Sequence, residues 1–160
     1  MAKESAIGTL NAGYKFGNFN TAADGTGTGY AKNKSVSITE DTTLYATYTE
    51  NTYGVKFGKN NNGLTVSGTT DPVNGVNYND ATVLSSNGYS ASHKNGSNTI
   101  TDSFVGWICG DKILSDGATV TGDDLGLAAK IKPSKTESSK TLNALWSKGD
   151  MYLNTKESSI

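Results

Sequence analysis

The chain has 160 residues, 34% of them hydrophobic, and a formal net charge of −1. Gly, Ser, Thr and Asn together supply 73 residues, all fourteen basic residues are Lys, and neither Arg nor Gln occurs. No guanidinium fork is therefore available to grip phosphate or guanine edges, and a near-neutral charge gives no pull on polyanions, which speaks against a nucleic-acid partner.

Taken in chain order, the opening "MAKESAIGTLNAG" lacks a charged start followed by an apolar stretch, and no apolar run of membrane-spanning length occurs. The sequence thus predicts neither a secretory signal nor a membrane span. Short alternating runs then dominate: "SVSIT", "TLYATY", "YGVKF", "LTVSG" and "TLNALW", separated by Gly- and Asn-rich breaks such as "DGTGTG", "KNNNG" and "SSNG". Such alternation predicts strands. In "TLYATY", Leu44, Ala46 and Tyr48 share one face and Tyr45 and Thr47 the other, as on a strand covering a core on one side. Scarce apolar bulk also suits thin β layers better than a thick helical bundle.

In "SFVGWICG", alternation places Cys109 on the same face as Trp107, where it reads as a small buried hydrophobe. As the sole cysteine it can form neither an intrachain disulfide nor a thiolate zinc cage. "GDDLGLAAKIKP" predicts the one helix, around residues 124–131, with Asp123 or Asp124 as N-cap and Pro133 as its stop. Gly126 weakens that helix. Residues 148–160 read as a tail or docking arm.

The chain repeats itself. Thr43-Leu-Tyr-Ala-Thr-Tyr48 matches Thr141-Leu-Asn-Ala-Leu-Trp146, Phe16-Gly-Asn-Phe19 matches Phe104-Val-Gly-Trp107, and "SITED" at 37–41 matches "TVTGD" at 119–123. The three landmarks recur in one order, with an insertion at about 125–139 in the second copy. Internal repetition on this scale points to small modules, each with its own core. The expected core landmarks are Phe16, Phe19, Leu44 and Tyr48 in the first copy and Phe104, Trp107, Leu142 and Trp146 in the second. Residues 1–50 read as a partial unit, its C-terminal half, and 51–147 as a full one. A half unit must complete its sheet with another segment or leave an edge strand for a partner chain.

These landmarks resemble the Listeria–Bacteroides repeat family, which includes the B-repeat of internalin-type surface proteins. Its units look like Tyr-x-Phe-x-Gly-Trp, an Asp-Gly-x-Gly-Thr turn, a Val/Ile strand, Asp-x-Thr, and Thr-Leu-x-Ala-x-Trp. Gly13 to Tyr48 is similar along nearly its whole length, and the second copy matches at "SFVGW", "ATVTGD" and "TLNALW". Asn18 stands where the family has Gly, and Phe19 and Tyr48 where it has Trp. The resemblance implies small β-grasp-like modules in a mainly β to α+β chain. It also implies a non-enzymatic role on an outer surface, as spacer or in adhesion.

Residues with chemical potential have structural uses here. His93 lies in the polar stretch "SASHKNGSN", where a loop imidazole is expected rather than a general base. Asp111, Asp116, Asp123 and Asp124 fall close together, yet each sits at a turn or helix start where Asp serves the backbone, and no spacing singles out a glycosidase pair. Asp24 in "DGTGTG" could contribute to a calcium site but suits a hairpin turn better. An isopeptide between a buried Lys and Asn is a further possibility of fibre-type proteins. Among the tyrosines, Tyr30 and Tyr45 are the candidates for outward contact.

The expected function is that of a structural or interaction protein. No catalytic residue, cofactor or metal site is assigned, and the expected partners are capsid or fibre proteins, neighbouring repeats, or a host-surface glycan or protein. A surface-repeat family without an export signal suggests a bacteriophage virion accessory protein, of capsid-decoration or fibre type, on the virion surface. The alternative is a segment of a bacterial cell-surface adhesin, extracellular, acting as spacer or ligand-binding module. A carboxylate enzyme ranks third.

Overall fold

The computed structural model describes residues 12–127 and 139–149. Among the described residues every regular element is a strand. In chain order these are β1 (Tyr14–Asn20), β2 (Gly29–Tyr30), β3 (Tyr45–Glu50), β4 (Thr52–Gly58), β5 (Thr65–Gly68) and β6 (Val73–Asn77). There follow β7 (Thr82–Val83), β8 (Tyr89–Asn95), β9 (Asn98–Cys109), β10 (Lys112–Leu114), β11 (Thr119–Val120) and β12 (Ser139–Ser147). The protein is therefore mainly β, as alternation and the wealth of Thr, Val and Tyr in these runs demand.

The strands form a three-stranded sheet in the order β2-β1-β3 and a sheet ordered β5-β8-β9-β12-β4-β6, in which β10 also pairs with β9. A short β11-β7 pair completes the set. Two compact units emerge. The described part of the first comprises residues 12–54, 74–82, 120–127 and 139–140, and that of the second 55–73, 83–119 and 141–149.

The two matching hexapeptides lie in equivalent registers. In β1 against β3, Phe16 faces Tyr48 and Phe19 faces Ala46. In β9 against β12, Phe104 faces Trp146 and Trp107 faces Ala144. Three steps along one strand thus oppose two along the other at the same place in both pairs, which is a β-bulge. The hairpin partner repeats too, since Phe19 faces Tyr30 on β2 and Trp107 faces Leu114 on β10. Even the ring packing recurs, with Phe16 and Phe19 centroids 5.0 Å apart and Phe104 and Trp107 4.8 Å apart.

Each unit has its own interior. In the first, Phe16, Tyr53, Val76, Tyr78, Val120 and Leu125 are buried. The Tyr78 hydroxyl donates to Asp123 Oδ1 at 2.7 Å. In the second, the fully buried Trp107 packs on Phe57 at 4.5 Å, on Phe104 and on Tyr89 at 6.1 Å. Trp146 packs edge-on against Phe104 at 5.6 Å, and its Nε1–H donates to Lys59 O at 2.9 Å. Cys109 is buried in the same unit, on the Trp107 face.

The expected helix over 124–131 does not form in its described part. Thr121 and Asp124 make a reciprocal capping box: Asp124 N–H donates to Thr121 Oγ1, and Thr121 N–H to Asp124 Oδ2. The N-cap is thus Thr121 rather than Asp123 or Asp124. After one turn, Leu127 N–H reaches Gly122 O and Gly126 N–H reaches Asp123 O, with Gly126 at φ +65°. That is a Schellman stop, which glycine enters without the Cβ penalty. Residues 128–131 lie outside the described residues, as do most of the insertion expected at 125–139 and of the tail expected at 148–160.

Candidate functional site

The first unit carries an open apolar groove beside a sheet edge, and its walls are set by the loops of the β1 hairpin. Asn20 is buried at the end of β1, with Nδ2 donating to the carbonyls of Gly25 and Gly27 and Oδ1 accepting from Ala22 N–H. Asp24 Oδ1 accepts from the backbone N–H and the hydroxyl of Thr26, and these bonds, the backbone one foremost, hold its carboxyl below the usual range. "DGTGTG" is therefore a turn whose Gly25 and Gly27 carbonyls are satisfied by an amide. It returns the chain into β2, placing Tyr30 opposite Phe19.

From β2 the chain runs without regular structure to β3, and this crossing encloses about 280 Å³. Phe19, Tyr30, Val36, Ile38 and Leu44 give the groove its apolar lining, while Asn33, Lys34 and Ser35 lie at its polar side. Ile38 is 54% exposed, an unusual position for a large aliphatic side chain that lines a cavity. Tyr30 is half-buried and shares the groove, whereas Tyr45 is 42% exposed on β3. Both tyrosines singled out for contact thus lie on this unit.

Among the core landmarks, Phe16, Trp107 and Leu142 are buried, and Phe19, Leu44, Phe104 and Trp146 are half-buried. Tyr48 is not a core residue, being 47% exposed. Its counterpart Trp146 is shielded because a strand, β4, lies beside β12; β3 has no such neighbour among the described residues. Ile38 and Val36 escaped notice in the sequence because alternation in "SVSIT" predicts a buried face, and nothing local reveals that the cover is missing. Asn20 gave no sequence signal beyond its place before a glycine-rich turn.

A second cluster lies in the other unit. Around the tight turn between β8 and β9, His93 faces Ile100 and Ala91 faces Asp102. His93 Nδ1 and Asp102 Oδ1 are 2.8 Å apart, and Gly149 N–H donates to the same oxygen at 3.0 Å. Asp102 Oδ2 is buried without a hydrogen-bond partner among the described residues. The imidazole is thus tied to a buried carboxyl and is not a free loop group. The remaining acids serve the backbone and its neighbours: Asp116 accepts from Asn87 N–H, Asp123 from Tyr78 and Asp124 from Thr121, while Asp111 is exposed in a turn. Among the described residues, no three His, Cys, Asp or Glu side chains gather as a metal would need.

No helix among the described residues is long and apolar enough to cross a membrane. Comparison with known proteins finds no matching family model and no significantly similar curated protein or solved structure.

Proposed function

We propose that the chain is a non-enzymatic structural and interaction protein of an outer surface, a bacteriophage virion accessory of capsid-decoration or fibre type. The observation that carries the interaction reading is the first unit's β3 edge, open among the described residues, together with the apolar groove beside it. Such a surface costs free energy while it faces water, and it is stabilised when a partner covers it. Asp102, Asp116, Asp123, Asp124 and His93 support the reading, because each is engaged in holding turns and strands together. Outer-surface display comes from the resemblance of the two copies to β-grasp-like surface repeats, with virion and particle partners following from it. The duplicated register favours a second reading, a tandem segment of a bacterial cell-surface adhesin.

The test is co-sedimentation of the full chain with the capsid, tail and fibre proteins encoded beside its gene. Binding that is lost in Ile38→Asp is the expected result. A chain that stays monomeric at high concentration and sediments with none of these proteins overturns the virion assignment. Neighbouring capsid and portal genes accord with the first reading, and a longer open reading frame spanning the chain with the second.

A further inference from the structure

We propose that the first unit receives one extended strand of another polypeptide along the outer edge of β3, with the strand's apolar side chains entering the groove. The inference rests on the interaction reading above and names its partner class. It is drawn from the protein's own second copy, which shows the same architecture with the strand in place.

Equivalent positions differ in cover. Trp107 and Leu142 are fully buried, while their counterparts Phe19 and Leu44 are only half-buried. Val120 is 3% exposed and its counterpart Ile38 is 54% exposed. In the second copy β4 lies beside β12, with Val55 fully buried and the Phe57 ring packed on Trp107. Residues just beyond β4 fasten to β12, for Asn60 Nδ2 donates to Ala144 O at 2.7 Å and Lys59 O accepts from Trp146. Residues around β11 are covered as well, since Leu84 N–H donates to Ala118 O. The stretch corresponding to β11, at Ser37 and Ile38, has no strand partner among the described residues.

The edge can make ladder bonds. Asn51 N–H donates to Gly13 O, and Tyr14 faces Glu50 with Phe16 facing Tyr48. Hydrogen-bonded and non-bonded pairs alternate in an antiparallel ladder, so Tyr48 and Glu50 direct their N–H and C=O groups away from β1. About 280 Å³ lies below the usual ~300–1,000 Å³ of small-molecule pockets and suits the side chains of one strand instead. Charge agrees: residues 40–50 hold Glu40, Asp41 and Glu50 and no Lys, whereas residues 52–60 hold Lys56 and Lys59 and no acid. The partner is therefore a strand of β4 type, aromatic-x-Val-x-aromatic, with Lys at intervening positions.

The test is a titration of the isotopically labelled full chain with a synthetic peptide of residues 51–60, NTYGVKFGKN, followed by amide chemical shifts. Saturable shifts should fall on residues 29–50. Ile38→Asp, which folds because the side chain is already exposed, should weaken binding by about tenfold or more, as should scrambling the peptide to destroy its alternation. Tyr48→Pro removes one outward N–H without removing a bond to β1, and it should weaken binding similarly provided its amide spectrum keeps the native dispersion. No shift at about 1 mM peptide, shifts centred on β12, or equal affinity for the scrambled peptide or for Ile38→Asp would each overturn the proposal. If particle proteins bind in an Ile38-dependent way while the peptide does not, the strand inference fails and the interaction reading survives. If neither binds, both fail.

Discussion

Replacing Trp107 by Ala tests whether the second unit owes its stability to one aromatic cluster. The side chain is fully buried and lies against Phe57, Phe104 and Tyr89. An aromatic residue of this kind buries about 150–250 Å². At about 25 cal/mol per Å² that amounts to ~4–6 kcal/mol, an upper figure because unfolded chains already hide part of the surface. A loss of about 3–5 kcal/mol is therefore expected. Trp107 Nε1 is buried without a hydrogen-bond partner among the described residues, so Trp107→Phe discards a group whose desolvation is unrewarded and should lose clearly less than the Ala variant. Urea denaturation followed by the fluorescence of Trp146, which lies in the same unit, measures the Trp107 variants directly. A loss below about 1 kcal/mol for Trp107→Ala, within the range of ordinary surface changes, refutes the reasoning.

Asp102→Ala removes the acceptor of both His93 and Gly149, and should cost about 2–4 kcal/mol by urea denaturation, whereas Asp102→Asn keeps one acceptor oxygen and should cost less. Equal losses for the two would show that the hydrogen bonds are not what matters. The Tyr78 phenol is raised above its ordinary value by its bond to Asp123, and burial raises that of Tyr53, so the contribution of these two groups to stability is fully present below about pH 10 and is lost as pH rises through the folded values. In an absorbance titration of tyrosinate, Asp123→Asn should bring one phenol down toward the ordinary range, and an unchanged curve would disprove the assignment. Asn20→Ala takes three hydrogen bonds from the 21–28 loop and should lower stability by about 2–3 kcal/mol. A cost under about 0.5 kcal/mol would show that the loop does not depend on this amide.

The strands were legible because alternation is a local signal: "TLYATY" and "TLNALW" each announce one buried face, and a pair of matching landmarks implies a matching register. The place of Tyr30 opposite Phe19 follows from the length of a Gly-rich hairpin loop. What local pattern does not carry is cover. "SVSIT" and "ATVTG" alternate alike, yet Ile38 meets solvent and Val120 does not. Over 124–127 the expected helix does not form, because apolar spacing continues past Gly126 while the left-handed turn at that glycine ends the run. The His93–Asp102 contact depends on hairpin register. It could have been read from "HKNGSN", whose Gly96-Ser97 turn pairs Asn95 with Asn98 and so brings positions 93 and 102 to the same face, diagonally across two rungs.

The two copies differ most where the second has tryptophan, and chemistry explains the choice. An indole N–H near a sheet edge needs an acceptor, and Trp146 finds one in Lys59 O, a carbonyl that exists there only because β4 has just passed. Beside β3 no strand brings such a carbonyl among the described residues, so an indole at position 48 would bury its ring poorly and gain nothing for its N–H. Tyr48 instead offers a hydroxyl that water satisfies at 47% exposure and a ring that can still cover an incoming strand. Phe19 in place of tryptophan follows the same logic, since Phe57, the ring that packs against Trp107, has no counterpart over the groove among the described residues. The departures of the first copy thus fit a β3 edge that has no neighbouring strand among the described residues.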